Sequence, residues 1–231
     1  MLLNEQEIAG GALSFLRDNI LYHKDELLRE EQVPDVYKIF DKIVENTPPG
    51  AHNLIFTPWL FGERAPIDDH TVRGGIYNIS LDTTREHLIR AIFEGVAYNI
   101  KWLLIYVEKF IEKWVQKNKP ELIKDGNIIP ELNIIGGGAK SEVWCQIFAD
   151  VLDRKVKQVK NPIQANARGA AFIASVGLGY VKWEDIPKYT EIARVFEPNP
   201  ANRDLYEKLF EEFLRIYKVL GKTYKTLNES H

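Results

Sequence analysis

Residues Leu132, Asn133, Ile134, Ile135, Gly136, Gly137, Gly138, Ala139, Lys140 and Ser141 run from an apolar strand through three glycines to a polar, helix-opening residue. Consecutive glycines let the main chain approach a ligand with no Cβ in the way. Ser141 can cap a helix that starts near Glu142. The first N–H groups of such a helix attract phosphate or ribose oxygens, so the stretch reads as a nucleotide pocket. Strand, glycine turn and helix also join α/β layers that hold no ligand, and the pattern alone leaves both readings open.

Around this stretch, apolar periodicity and turn residues divide the chain. Residues 6–21 and 36–44 read as helices, separated by a charged, proline-bearing segment at 24–34. Thr47, Pro48, Pro49 and Gly50 stop the second helix, and 54–57 is a short apolar strand. A loop rich in charge and turn residues fills 58–72 and a second strand runs over 75–81. Thr83 and Glu86 have capping-box spacing. Beyond them Ile89, Phe93, Val96, Ile100, Leu103, Leu104, Val107, Ile111 and Trp114 recur at helical period. About thirty residues at 1.5 Å each make a helix on the order of 45 Å long, enough to cross a domain. After a polar loop at 124–127 the order is strand 132–135, helix 142–152, strand 155–159 and helix 165–176, which predicts an α/β layer. Gly177 and Gly179 end the last of these, and an amphipathic helix over 203–227 closes the chain.

Composition excludes several function classes. With 231 residues and 45% hydrophobic content the chain can bury one good-sized core or two small ones. A net charge of −3, from 30 basic and 33 acidic residues, offers no electrostatic reason for nucleic acid or an anionic membrane as partner. Lys113, Lys117 and Lys119 read as a solvated helix face, and the single cysteine, Cys145, as core packing on a helix. No basic and apolar leader is present, and charges interrupt the longest apolar helix, so a cytoplasmic location is expected.

The stretch 134–151, IIGGGAKSEVWCQIFADV, resembles the adenosine-side motif of the FGGY carbohydrate kinases, within the actin, Hsp70 and sugar-kinase superfamily. A second match is similar to that family's C-terminal signature: Gly74, Gly75, Ile76, Tyr77, Asn78 and Ile79, then seven residues, then His87, Leu88, Ala91, Ile92, Phe93 and Glu94. Asn78 stands where the signature usually has glycine, and asparagine best tolerates the left-handed backbone that follows. GERAP at 62–66 and ARGAAFIASVGLG at 167–179 also resemble the family, particularly its xylulokinase-like members.

The resemblance implies the C-terminal half of an α/β, ribonuclease H-like ATPase domain of the actin/Hsp70/sugar-kinase type, carrying a long helix and added helices. It implies one C-terminal nucleotide-binding domain over 1–231, with the N-terminal sugar-binding and catalytic domain, and its aspartate, absent. The implied cofactors are ATP and Mg²⁺, the metal ligands lying mostly on the absent half. Gly10, in EIAGGALSFLRD at 7–18, matches a glycine that approaches the ATP phosphates in the glycerol kinase branch, and Ser14 stands where that branch carries a longer amide that contacts ATP. Gly10 and Gly11 can equally mark close helix packing. By the same carry-over Gly137, Gly138 and Ala139 would flank the adenosine and α-phosphate, with Ser141 at the helix start. No catalytic or metal-ligating residue is assigned on this chain. The implied partners are the N-terminal kinase domain, a sugar reached through it, and a possible second copy of the chain. A non-catalytic, actin-like nucleotide-binding or interaction module is the alternative.

Other polar residues carry structural expectations. Asp68, Asp69 and His70 are adjacent in a loop, point different ways and read as solvated rather than metal-binding. Glu63 and Arg64 are expected to form an internal ion pair in preference to touching substrate. Glu94 and Arg168 read as hydrogen-bonded structural charges, and His87 as a surface or capping residue.

Overall fold

A computed structural model describes residues 6, 8–21, 35–118 and 128–229. The segments expected at 24–34 and 124–127, and Lys119, lie outside the described residues. The elements are helices α1 (Gly10–Leu16), α2 (Val36–Asn46), α3 (Arg85–Asn118), α4 (Glu142–Leu152), α5 (Ala165–Gly177) and α6 (Arg203–Asn228). The strands are β1 (Ile55–Thr57), β2 (Gly75–Tyr77), β3 (Glu131–Ile134), β4 (Lys155–Val159) and β5 (Ile192–Phe196).

β3 and β4 pair in parallel through the crossover helix α4, the α/β layer expected from the element order. β5 adds to β4 antiparallel at the edge, completing the sheet in the order β3-β4-β5. Nothing in the periodicity of 192–196 marked it as a strand, because only Phe196 of the five residues is buried. α4 packs on this sheet, α3 packs on α4, and β1 with its antiparallel partner β2 lies against α3. A Cβ on Gly95 would fall 2.2 Å from the Phe56 carbonyl oxygen, so α3 and β1 meet at backbone distance and only glycine fits there. α6 lays Tyr206, Leu209, Phe210 and Phe213 into the same core at helical spacing.

Three local expectations shift. The first helix begins at Gly10, not at residue 6: the Gln6 side-chain amide instead donates to the Ile8 carbonyl, and the last turn, Arg17–Leu21, is π-helical. β2 stops at Tyr77 because Asn78 takes the left-handed backbone, φ +68°, anticipated for it. The cap of α3 lies one residue later than the spacing suggested. Thr84 and His87 hold each other reciprocally, the Thr84 N–H donating to His87 Nδ1 and the His87 N–H to Thr84 Oγ1. α3 runs for 34 residues, about 50 Å, but its burial ends at Leu104 with Val115 the exception, and Trp114 is half exposed.

The centre of the fold is charged. Glu94 is fully buried, and its Oε1 accepts from Arg90 Nε at 2.7 Å, the Gly50 N–H at 2.9 Å and the Tyr206 hydroxyl at 2.9 Å. Arg90 also donates to the Val44 and Thr47 carbonyls, which close the C-terminal end of α2. Burial pushes the Glu94 carboxyl up, and Arg90, Gly50 and Tyr206 oppose it. The anchored segment is unusual: Gly50, Ala51, His52 and Asn53 all have positive φ, a left-handed turn that costs roughly 1–2 kcal/mol per non-glycine residue.

Removing one member of a buried ion pair leaves the other uncompensated. Arg90→Ala is therefore expected to lower stability by about 3–5 kcal/mol in urea unfolding, far more than Lys101→Ala, whose partner Glu207 is exposed.

Candidate functional site

The glycine turn is built as the sequence suggested. The parallel strand β3 ends at Ile134, Gly136 takes φ +87° and donates its N–H to the Pro162 carbonyl, and Gly138–Lys140 form a single 3₁₀ turn before α4. Ser141 caps α4, its Oγ accepting the Trp144 N–H at 3.1 Å. The same hydroxyl donates its proton to Asp41 Oδ1, at 2.6 Å, on α2. Ala139 is buried, and its carbonyl accepts from the Gln158 amide at 2.6 Å and takes the Cys145 thiol at 3.7 Å. Cys145 is core packing, as expected, and burial with the nearby Glu142 and Asp41 raises its pKa to about 12, so it is inert as a thiolate.

The three glycines of this turn have separate reasons. Gly136 needs its positive φ. A Cβ on Gly138 would lie 2.9 Å from Cζ3 of the Trp144 indole, which is buried, stacks on Phe148 and donates Nε1–H to the Phe93 carbonyl. Gly137 is exposed with right-handed helical angles, and a Cβ there would meet nothing within 4 Å. Packing and backbone explain the first two glycines, whereas the open space over Gly137 is room beside the start of α4.

Gly10 opens α1, exposed, also with nothing within 4 Å of an added Cβ. Ser14 Oγ shares a hydrogen bond of 3.2 Å with the Tyr37 hydroxyl, which also accepts from Arg17 at 2.7 Å. Tyr37 and Asp41 are four residues apart on α2 and so lie on one face, with Cβ atoms about 5–6 Å apart. The structure thereby brings Ser14 and Ser141, about 130 residues apart in sequence, to neighbouring positions on one helix face. Neither Tyr37 nor Asp41 was singled out by sequence reasoning. Their only signal was a polar residue at each of two helix positions spaced i, i+4.

The remaining polar residues are structural. Glu63 is buried, its carboxylate accepting the Arg64 N–H and Asn99 Nδ2 at 2.9 and 2.6 Å, while Asn99 Oδ1 accepts from Trp59 Nε1. Glu63 is thereby also tied to Asn99 of α3, and Arg64 is exposed. Asp68 and His70 are exposed, and Asp69 accepts from Thr71 within its own turn. Arg168 donates to the Lys160 and Asn161 carbonyls at the end of β4. Among the described residues no group of three or more His, Cys, Asp or Glu side chains could hold a metal ion, and no helix is long and apolar enough to cross a membrane.

The two neighbouring glycines make opposite predictions. Gly138→Ala presses a methyl onto a fixed indole and is expected to cost about 1–3 kcal/mol in urea unfolding. Gly137→Ala, in open space with allowed angles, is expected to leave stability unchanged or raise it by up to about 1 kcal/mol.

Comparison with known proteins agrees with this architecture. The sequence pattern of the FGGY family of carbohydrate kinases, C-terminal domain, matches residues 1–178. A xylulose kinase of Staphylococcus epidermidis is 33% identical over 171 residues, 73% of this chain and 31% of its own length. A gluconokinase of Bacillus licheniformis is 26% identical over 216 residues, 93% of this chain and 39% of its own. The ligand-bound xylulose kinase of Lactobacillus acidophilus superposes with a TM-score of 0.74 at 25% identity, covering 96% of this chain and 40% of that one. The chain thus spans roughly a third of the length of the curated relatives it matches. The chain belongs to the FGGY family of carbohydrate kinases, whose C-terminal domain it matches over residues 1–178.

Proposed function

We propose that this chain, as one domain over 1–231, is the ATP-binding half of a carbohydrate kinase that transfers the γ-phosphoryl group of ATP to a sugar hydroxyl. The observation that carries the reading is the arrangement on α2: Tyr37 holds Ser14, and Asp41 holds Ser141, so the two segments assigned to the nucleotide flank one helix face. Gly10 and Gly137, each four residues before one of these serines, have nothing within 4 Å of an added Cβ. Gly10, Ser14, Gly137, Gly138, Ala139 and Ser141 are the residues assigned to the nucleotide. Backbone carries most of that contact, because the hydroxyl proton of Ser141 is already committed to Asp41.

Phosphoryl transfer also requires a base for the acceptor hydroxyl, a cradle for the β and γ phosphates and Mg²⁺. The proposal assigns these, and the sugar pocket, to an N-terminal partner domain, in keeping with the share of its relatives that the chain spans. Isolated, the chain is then inactive. An exposed apolar tract supports the missing contact. α5 buries none of its residues, and Ile163, Ile173, Leu178, Tyr180, Trp183 and Tyr189 are each more than half exposed. Such a tract fits an interdomain surface. A xylulose-like pentulose is the proposed sugar, gluconate the competing one, and the cytoplasm the proposed location.

The test uses the purified chain. ADP binding in calorimetry is expected, lost on Gly137→Val, a variant that keeps its fold in circular dichroism. With MgATP and a panel of xylulose, ribulose, gluconate and glycerol, no sugar-dependent ADP formation is expected. Turnover on any sugar would show that the chain supplies its own base and overturn the half-enzyme reading. Absence of ADP binding would overturn the nucleotide assignment and favour an interaction module.

A further inference from the structure

We infer that Asp41 is a positioning residue for the nucleotide turn: it holds Ser141 in the rotamer that caps α4, and so sets nucleotide affinity without touching the ligand. The inference rests on the nucleotide reading above. A serine hydroxyl has one proton and two lone pairs. Here the proton goes to Asp41 Oδ1 at 2.6 Å, and a lone pair takes the Trp144 N–H at 3.1 Å. Ser141 is buried, so a free rotor there has no solvent to satisfy it.

The hydrogen bond ends a relay of fixed parts. Trp144, whose N–H is the capped donor, also packs its ring on Gly138 and anchors Nε1 on the Phe93 carbonyl of α3. Asp41 is held by a helix whose Phe40 and Val44 are buried and whose last carbonyls Arg90 clamps. Asp41 therefore ties the turn containing Gly137 and Gly138 to the core from the α2 side, as Gln158 ties it from the sheet through Ala139. Burial and the nearby Asp35 and Glu45 push the Asp41 carboxyl up, and the bond from Ser141 opposes them. Glu142, which with Asp41 acts on Cys145 of α4, is itself paired with Arg194.

This geometry separates an indirect role from ligand contact. Asp41→Ala and Ser141→Ala are each expected to weaken ADP binding about tenfold in calorimetry. The double variant is expected to be no weaker than either single one, since both remove one device. Asp41→Asn, whose amide oxygen still accepts from the hydroxyl, should restore affinity to within about threefold of the parent. Hydrogen exchange gives a readout that needs no ligand: protection of the Trp144 amide is expected to fall in Asp41→Ala and to be retained in Asp41→Asn. Additive losses in the double variant, or unchanged Trp144 protection in Asp41→Ala, would overturn the positioning role while leaving nucleotide binding in place. Failure of the parent chain to bind ADP, with Trp144 protection still dependent on Asp41, would overturn the link to affinity together with the nucleotide reading.

Discussion

Glu94 and Arg90, one turn apart on α3, join parts of the chain that no local rule connects. The carboxylate accepts from the N–H of Gly50 and the hydroxyl of Tyr206, and the guanidinium donates to the last carbonyls of α2. One ion pair thus seats the end of α2, the left-handed turn after it and the first turns of α6 on the central helix. Buried charge is costly unless every partner is in place. The partners of Glu94 Oε1 and of Arg90 come from α2, the turn after it and α6, so the pair is compensated only when these elements sit as they do here.

Because α2 is fixed at its C-terminal end, the face carrying Tyr37 and Asp41 is fixed as well. That face reaches Ser14 of α1 on one side and Ser141 before α4 on the other. The core and the candidate site are therefore one mechanical system: α3 holds α2, and α2 holds the glycine turn. The aromatic cluster around Trp59, Phe213 and Tyr217 completes it, binding α6 to the region behind β1 with ring centroids 5.3 to 5.9 Å apart. α5, by contrast, has no fully buried residue, and its Phe172 ring meets Tyr189 at 6.2 Å between centroids.

Much of the fold was legible because its cues are local. The apolar period of 89–104 and of α6, the proline and glycine stop after α2, and the strand, glycine turn and helix at 132–152 all follow from neighbouring residues. Asn78 was recognised for its tolerance of positive φ, which it adopts, although the strand expected through 81 stops before it at Tyr77. The misses are equally physical. Period alone carried the apolar stripe to Trp114, but a stripe is buried only where something packs on it: past Leu104, Val107 and Ile111 are half-buried, Trp114 is half exposed and Val115 is buried. β5 was invisible since an edge strand with one buried residue leaves no alternation to read.

The glycine turn and its serine cap are properties of contiguous residues, specified by backbone stereochemistry and first-turn hydrogen bonding before any folding is considered, and family membership shows in the motifs those residues spell. Tertiary structure decided the rest. Ser141 finds its acceptor a hundred residues earlier, Ala51, His52 and Asn53 lie in the left-handed region beside Gly50, whose N–H Glu94 accepts, and Glu63 bonds to Asn99. Each of these depends on a partner distant in sequence, whose position only the packed core defines.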